Sequence, residues 1–285
     1  MMTTSMARPN FSASSAWIAS AFSDLGELIS ERECRTFGGA AIPWIVALSM
    51  HGSADSVAAY EMNCRQLLGR YSTELALKNA LRDIRQASTI NSWTERAGRL
   101  EGGTSLVRSG FGRILTPNQY SRDYLPPDAN RARAASNEIF KLRGRFASKG
   151  CNHVAVALAT YITLLTAHPL VDGNGRTARA LFVADATVVE QGVSSFALAA
   201  VLLKGKRSAD FHLSAKCARA GEFFMLAECF GSALDGIARS VHPILAALTA
   251  TPFSSFDEQV GLAEEIHGLL CGRPAQSVRG LGILG

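Results

Sequence analysis

Residues 168–179 read HPLVDGNGRTAR and are the most informative stretch of the chain. A proline disfavours helical geometry in the residue before it, so the apolar run upstream should form a helix that ends near Ala167 and leaves His168 at its C-terminal end. Gly173 and Gly175 let backbone N–H groups converge at the start of a second helix, whose N-terminus attracts anions. The stretch predicts two helices joined by a phosphate-binding loop.

The side chains of this stretch suit phosphate chemistry. The negative end of a helix dipole favours protonated imidazole, and a histidine with a pKa of about 6.5 or somewhat above is suited to accept a proton. Asp172 lies beside two cations, which should keep it ionised as a Mg²⁺ ligand requires. Arg176 and Arg179 share a helix face, where both guanidinium groups can bind phosphate oxygens.

A purely structural interpretation is the alternative. His168 would then be a helix-end residue, Asp172 a cap, and the arginines a solvated face. Each part is reasonable singly, but together they leave unexplained why two glycines and two arginines surround one anion-ready helix start.

Composition narrows the class of protein. The 285 residues are 47% hydrophobic and 19% charged, which favours a helical protein of one substantial domain with a smaller appendage. A net charge of +5 is compatible with nucleic acid, a membrane surface or nucleotide phosphates and does not choose among them. The six cysteines are scattered, so neither a zinc site nor a compact disulfide framework is indicated.

Two stretches bear on localisation. The N-terminus has no continuous apolar core of the kind found in secretory signals, so we expect a cytoplasmic bacterial protein, and its many serines are also compatible with export into a host cell. Residues 150–171 carry no Asp, Glu, Lys or Arg but include many polar groups. This pattern favours a central buried helix, and we expect no membrane partner.

Helical periodicity dominates the rest of the chain. Ala132, Ala135, Ile139, Leu142 and Phe146 mark one amphipathic helix, which Asp128 should cap and which should end before Gly150. Further helices are predicted near residues 15–31, 55–68, 72–87, 90–100, 152–167, 174–191, 209–220, 222–248 and 255–270. Residues 110–125 fit a short β-hairpin and, equally well, an irregular loop.

Residues 168–179 resemble the signature of the Fic (filamentation induced by cAMP) family, His-Pro-Phe-x-Asp/Glu-Gly-Asn-Gly-Arg-x-x-Arg, at every polar position. The resemblance implies a mainly α Fic-fold helical bundle with a β-hairpin flap at 110–125. On this basis we expect an N-terminal helical extension over residues 1–90, a core over 91–250, and a C-terminal helix and tail over 251–285. The flap would clamp a target segment by strand addition.

The resemblance also implies an activity, because family members typically transfer AMP from ATP to a hydroxyl side chain of a target protein. His168 would then be the catalytic base and Asp172 the Mg²⁺ ligand. Asn174, with the backbone of Gly173 and Gly175, would hold the α-phosphate. Arg176 would bind the β-phosphate and Arg179 the γ-phosphate.

Two positions qualify the match. Leu170 stands where the family usually has Phe, and it keeps an apolar loop anchor of smaller volume. Gly175 is retained, which argues against the family variants that transfer phosphate and carry Lys at that position.

Family members are often inhibited by a helix whose glutamate pairs with the last signature arginine. Here Ile90, Trp93, Ala97 and Leu100 predict a helix over 90–102 that brings Glu101 to its end, so we expect Glu101 to pair with Arg179. Ala97 stands where Ser or Thr is usual in the inhibitory motif. An exposed glutamate before a glycine turn is the alternative.

Two other functions stay open. The same displacement could use another donor, with transfer of UMP or phosphocholine, and the chain could instead be a nucleotide-binding regulator without catalysis. The absence of a recognisable helix-turn-helix signature argues against a nucleic-acid partner. The expected partner is a protein with an exposed hydroxyl side chain, and the sequence is also compatible with a homo-oligomer.

Overall fold

The computed structural model describes residues 13–29, 35–39, 41–51, 57–101, 105–110, 124–187, 192–204, 208–250 and 256–271. This part of the chain is mainly α-helical, as predicted, with one small antiparallel pairing of strands β1 (Thr36–Phe37) and β2 (Val193–Ser194). Its helices are α1 (Ser15–Leu28), α2 (Ala41–His51), α3 (Val57–Arg70), α4 (Glu74–Arg85), α5 (Ile90–Glu101), α6 (Ala129–Ser148), α7 (His153–Ala167), α8 (Asn174–Ala186), α9 (Ala199–Lys204), α10 (Ser208–Arg219), α11 (Phe224–Gly236), α12 (His242–Ala250) and α13 (Phe256–Cys271).

Helix α6 begins and ends where its sequence predicts. The side chain of Asp128 accepts a hydrogen bond from the backbone N–H of Arg131 at 3.0 Å, which satisfies a free donor of the first turn. Gly150, just beyond the helix, has φ = +72°, a conformation that glycine adopts at little cost. The predicted apolar face of α6 packs into the core.

Helix α7 is the centre of the bundle. Thirteen of its fifteen residues are buried, and it packs against α1, α6 and α8. Burial on nearly all sides explains why residues 150–171 carry no charged side chain. No helix in the described ranges is long and apolar enough to cross a membrane.

The helices of residues 13–90 share this core. Helix α1 packs on α7, while α2 and α4 pack on α8. The indole Nε1 of Trp17 donates a hydrogen bond to the carbonyl of Ala218 at 2.7 Å, which ties α1 to the end of α10. The N-terminal helices therefore support the two helices that carry the signature.

A buried ion pair fixes the far end of the α6, α7 and α8 bundle. The Arg143 Nε donates to Asp185 Oδ2 at 2.7 Å, and its Nη1 donates to the carbonyl of Ala87 at 2.9 Å. Both charged side chains are less than a tenth exposed. The pair therefore joins α6, α8 and the segment after α4 at the end of the bundle away from His168.

The structure differs from the sequence prediction in four helical segments. Helices α2 and α9 were not predicted. Helix α8 was expected to reach Gln191 but ends at Ala186, and Thr187, first of three consecutive β-branched residues, is extended. The single helix predicted over 222–248 is divided, because a π-helical turn (Ile237–Val241) precedes α12 at the His242-Pro243 dipeptide.

Candidate active site

His168 lies directly after the last turn of α7, as predicted. Its backbone N–H donates to the carbonyl of Leu164 at 2.9 Å, and its backbone is left-handed, with φ = +46° and ψ = +55°. It is the one non-glycine residue with positive φ in the described part of the chain. Such a conformation costs about 1–3 kcal/mol and persists where surrounding contacts enforce it, which is common at functional sites.

The protonation of His168 differs from the expectation based on the helix dipole. Burial lowers the pKa of the imidazole, and the nearby positive charge of Arg108 lowers it further. A hydrogen bond to the Leu165 carbonyl and the charge of Asp172 oppose these effects but are smaller. The folded protein therefore favours the neutral, proton-accepting imidazole at neutral pH.

The loop after His168 closes on itself through Asn174. The side-chain amide accepts from the backbone N–H of Leu170 at 2.8 Å and donates to the Leu170 carbonyl at 2.9 Å. Leu170 is 1% exposed, so it fills the core position of the loop anchor as expected. Asn174 is buried, and its side chain acts here on the shape of the loop.

Gly173 directly precedes α8, and its position in the structure disfavours any residue with a side chain. Its φ is +77°, and an added Cβ would lie 3.1 Å from Ser105 Oγ. Its carbonyl accepts from Thr177 N and Thr177 Oγ1, both at 2.9 Å. The first N–H groups of α8 thus begin at a tightly constrained, glycine-dependent turn, the geometry expected of an anion-binding helix start.

Asp172 and Arg176 are the charged groups at the mouth of this loop. Their side chains are 78% and 50% exposed, and Arg176 Nη2 lies 3.7 Å from Asp172 Oδ2. A weak, exposed ion pair of this kind is readily exchanged for contacts to a ligand. Both groups are therefore accessible to phosphate oxygens and to a cation.

Arg179 has different surroundings from Arg176. It is 3% exposed, and its Nε and Nη2 donate to the backbone carbonyl of Met50, at 3.1 and 2.8 Å. It also hydrogen-bonds Tyr161, whose pKa is raised by burial despite the nearby guanidinium charge. An added Cβ on Gly175 would lie 3.4 Å from Arg179 Nη1, so one edge of the guanidinium faces the loop.

Two side chains that sequence reasoning missed bind the end of α7. Arg108 binds backbone carbonyls at and beside His168, and the Tyr124 hydroxyl donates to the carbonyl of Thr166. The guanidinium of Arg219 lies 4.6 Å from the centre of the Tyr124 ring. Neither Arg108 nor Tyr124 belongs to a spaced motif. An isolated antiparallel β-bridge between Val107 and Leu170 brings Arg108 to this position.

The predicted inhibitory helix exists as α5, which ends at Glu101. Trp93, Ala97 and Leu100 are fully buried on its predicted apolar face, and Trp93 Nε1 donates to the Thr177 carbonyl in α8 at 3.1 Å. The side chain of Glu101 lies outside the described residues. So does most of the predicted flap, residues 111–123, and both interpretations stay predictions.

The donor set at the loop fits a magnesium ion shared with a substrate. No group of three His, Cys, Asp or Glu side chains in the described part of the chain could hold a metal ion. Mg²⁺ is commonly held by one or two carboxylates together with phosphate oxygens and water. The exposed carboxylate of Asp172 beside the α8 N-terminus satisfies this requirement.

Comparisons with known proteins find a similarity over part of the chain. No curated protein matches the chain. Eleven chains of solved structures are similar, among them the crystal structure of a histidine-to-alanine variant of IbpAFic2 in complex with adenylylated Cdc42, which is 14% identical with a TM-score of 0.41. The likeness covers 65% of this chain and 60% of that chain, less than two thirds of its length. The Fic/DOC family model matches residues 108–184, which include His168 and the start of α8, so this part of the chain is similar to that family.

Proposed function

We propose that the protein is a Mg²⁺-dependent protein adenylyltransferase, which transfers AMP from ATP to a Ser, Thr or Tyr hydroxyl of a target protein. The proposal is supported mainly by the position of His168 at the end of α7, with five residues between it and the N-terminus of α8. In this proposal the base and the phosphate site would be held next to one another by two helices that pack in the core.

His168 is the base of the proposed reaction. A neutral imidazole carries one N–H, and the ring of His168 hydrogen-bonds the Leu165 carbonyl. The other ring nitrogen is then an acceptor, which can take the proton of an incoming hydroxyl. Because the pKa of His168 is lowered, this form is already populated at neutral pH.

The backbone N–H groups at the start of α8 and the guanidinium of Arg176 are the main phosphate contacts in this proposal. Asn174 contributes by shaping the loop, since its amide binds Leu170. Asp172 would hold Mg²⁺, which when bound neutralises phosphate charge. Arg179 would reach the γ-phosphate through the edge that faces Gly175.

The proposed reaction is an in-line displacement at the α-phosphorus. The hydroxyl oxygen of the target forms the new O–P bond as its proton passes to His168. The bond between the α-phosphorus and the oxygen bridging to the β-phosphate breaks, and pyrophosphate leaves.

A labelling experiment separates this reaction from the alternatives. Incubation with ATP labelled at the α-phosphate should label protein, whereas γ-labelled ATP should not. The same assay with labelled UTP and CDP-choline tests the other donors. A wild-type protein that binds ATP but labels no protein with any donor would favour a non-catalytic nucleotide-binding regulator.

We further propose that Glu101 restrains this activity by competing with ATP for Arg179. Support comes from the end of α5 at Glu101 and from the packing of α5 on α8. The guanidinium of Arg70 also lies at this helix end, where its Nη2 donates to the Leu100 carbonyl at 3.1 Å. A carboxylate at the negative end of a helix is mildly unfavourable, and a nearby cation offsets that cost.

A further inference from the structure

Arg108 has a buried guanidinium surrounded by backbone carbonyls. Its side chain is 4% exposed, with Nε 2.7 Å from the carbonyl oxygen of His168 and Nη1 2.8 Å from that of Gly110. Nη2 donates to the carbonyl of Pro127 and lies 3.4 Å from that of Ala167. One side chain thus joins the end of α7, the segment before α6 and the segment that leads to residue 111.

The surroundings of this cation are unusual. None of the described ion pairs includes Arg108, and burial lowers the pKa of its guanidinium. Desolvating a charge without a directly bonded carboxylate is costly. Carbonyl dipoles offset this cost, together with the longer-range charge of Asp128. The carbonyls of Ala167 and His168 form the negative end of the α7 dipole, where a cation is most favourable.

Arg108 contacts the backbone at and beside His168, the residue with the left-handed conformation. The left-handed conformation of His168 turns its carbonyl toward Arg108 Nε, and the backbone N–H of Arg108 donates to the carbonyl of Pro169 at 3.0 Å. On the other side, His168 N–H is held by Leu164. The peptide groups before and after His168 are therefore both bound by the same arginine.

We propose that Arg108 is the positioning residue for His168, because it holds the backbone of His168 in its left-handed conformation and joins it to the segment leading into residues 111–123. The role rests on the proposed function of His168 as the base. Arg108 touches no reacting atom and acts through His168. Substitution should therefore lower the rate of transfer and leave the phosphate contacts at α8 in place.

The electrostatic surroundings of His168 supply a second readout. Arg108 is the cation that lowers the pKa of His168, and Asp172 is the anion that opposes it. The other titratable groups near Arg108 and this end of α7 are Asp128, Tyr124 and Arg219. Removing the charge of Arg108 should raise the pKa of His168, which moves the acidic limb of the rate profile to higher pH.

The test compares Arg108→Gln and Arg108→Lys with the exposed Arg133→Gln as a control. For Arg108→Gln we expect kcat of label transfer to fall about tenfold or more with KM for ATP within about twofold. Its acidic limb should lie at higher pH than in the wild type. Arg108→Lys retains the positive charge, so the acidic limb of its pH–rate profile should lie at the wild-type pH while kcat still falls. Arg133→Gln should behave as the wild type.

A direct titration keeps the inference testable without activity. The imidazole of His168 can be followed by NMR over pH in the wild type and in both Arg108 variants, with His168→Ala used for assignment. A higher pKa in Arg108→Gln supports the inference. Unchanged kcat, or an unchanged pKa of His168 in folded Arg108→Gln, would overturn it. A wild type that labels nothing would count against the proposed function, while the titration still decides on Arg108.

Discussion

The guanidinium of Arg179 donates two hydrogen bonds to the backbone carbonyl of Met50, from Nε at 3.1 Å and from Nη2 at 2.8 Å. Met50 lies in the last turn of α2, so the last arginine of the signature is bound to a helix of the N-terminal region. Arg176, three residues earlier, has no such burial and pairs weakly with Asp172. The two arginines of one helix face therefore differ in structural role.

Arg179→Ala should destabilise the protein by about 1–3 kcal/mol, because it leaves the Met50 carbonyl and the Tyr161 hydroxyl without this partner. Arg176→Ala should change the free energy of unfolding by less than about 0.5 kcal/mol, since the side chain is half exposed. Both substitutions should weaken ATP binding. Urea unfolding and calorimetric titration of ATP measure the two effects, and equal losses of stability would contradict the difference in role.

Gly173→Ala should cost about 1–2 kcal/mol of stability and weaken ATP binding, because residue 173 has φ = +77° and an added Cβ would lie 3.1 Å from Ser105 Oγ. Gly144→Ala is the matched control in the interior of α6, where nothing lies within 4 Å of an added Cβ. It should stabilise the protein by about 0.5–1 kcal/mol without changing the affinity for ATP. A stable, ATP-binding Gly173→Ala would count against the constrained turn.

Asp185→Ala should destabilise the fold by about 3–5 kcal/mol, because it leaves Arg143 buried without its carboxylate. Burial opposes the charge of Arg143, but Asp185 keeps its pKa raised. The control is Glu138→Ala, which removes a pair with the exposed Lys141 and should cost less than about 1 kcal/mol. The denaturant midpoints of both variants give the comparison, and similar values would show that the buried pair is not what holds this end of the bundle.

Because Glu101 is proposed to compete with ATP for Arg179, Glu101→Gln should increase the rate at which the protein modifies itself (auto-modification). Glu95→Gln removes a carboxylate from the same helix at a side chain that is 71% exposed, and it should leave the rate unchanged. The measurement is the rate of label incorporation from α-labelled ATP. If the wild type is active and its rate equals that of Glu101→Gln, Glu101 does not inhibit the reaction.

Local sequence was sufficient to predict the two helix ends that carry the candidate site. Pro169 and Gly173 set the end of α7 and the start of α8 through backbone restrictions that act on adjacent residues. The contact of Arg179 with Met50 was beyond such reasoning. Helix α2 is apolar on almost all sides, so it lacks the amphipathic period by which a helix is recognised, and its partner lies 129 residues away.

The protonation of His168 shows a second limit. The helix dipole alone predicts a raised pKa, but burial and Arg108 prevail in the folded protein. Burial depends on tertiary packing, and Arg108 is 60 residues from His168 in sequence. The position of His168 at the end of α7 could be predicted, whereas its electrostatic surroundings could not.

Intact-protein mass spectrometry tests the central claim most directly. The wild type and His168→Ala are incubated with Mg²⁺ and ATP, alone and with candidate target proteins, and ATP binding is measured in parallel. We predict that wild-type reactions gain the mass of one AMP on protein, and that His168→Ala binds ATP but shows no gain. A wild type that binds ATP without any transfer, or a His168→Ala variant that transfers AMP as fast as the wild type, would contradict the proposed chemistry.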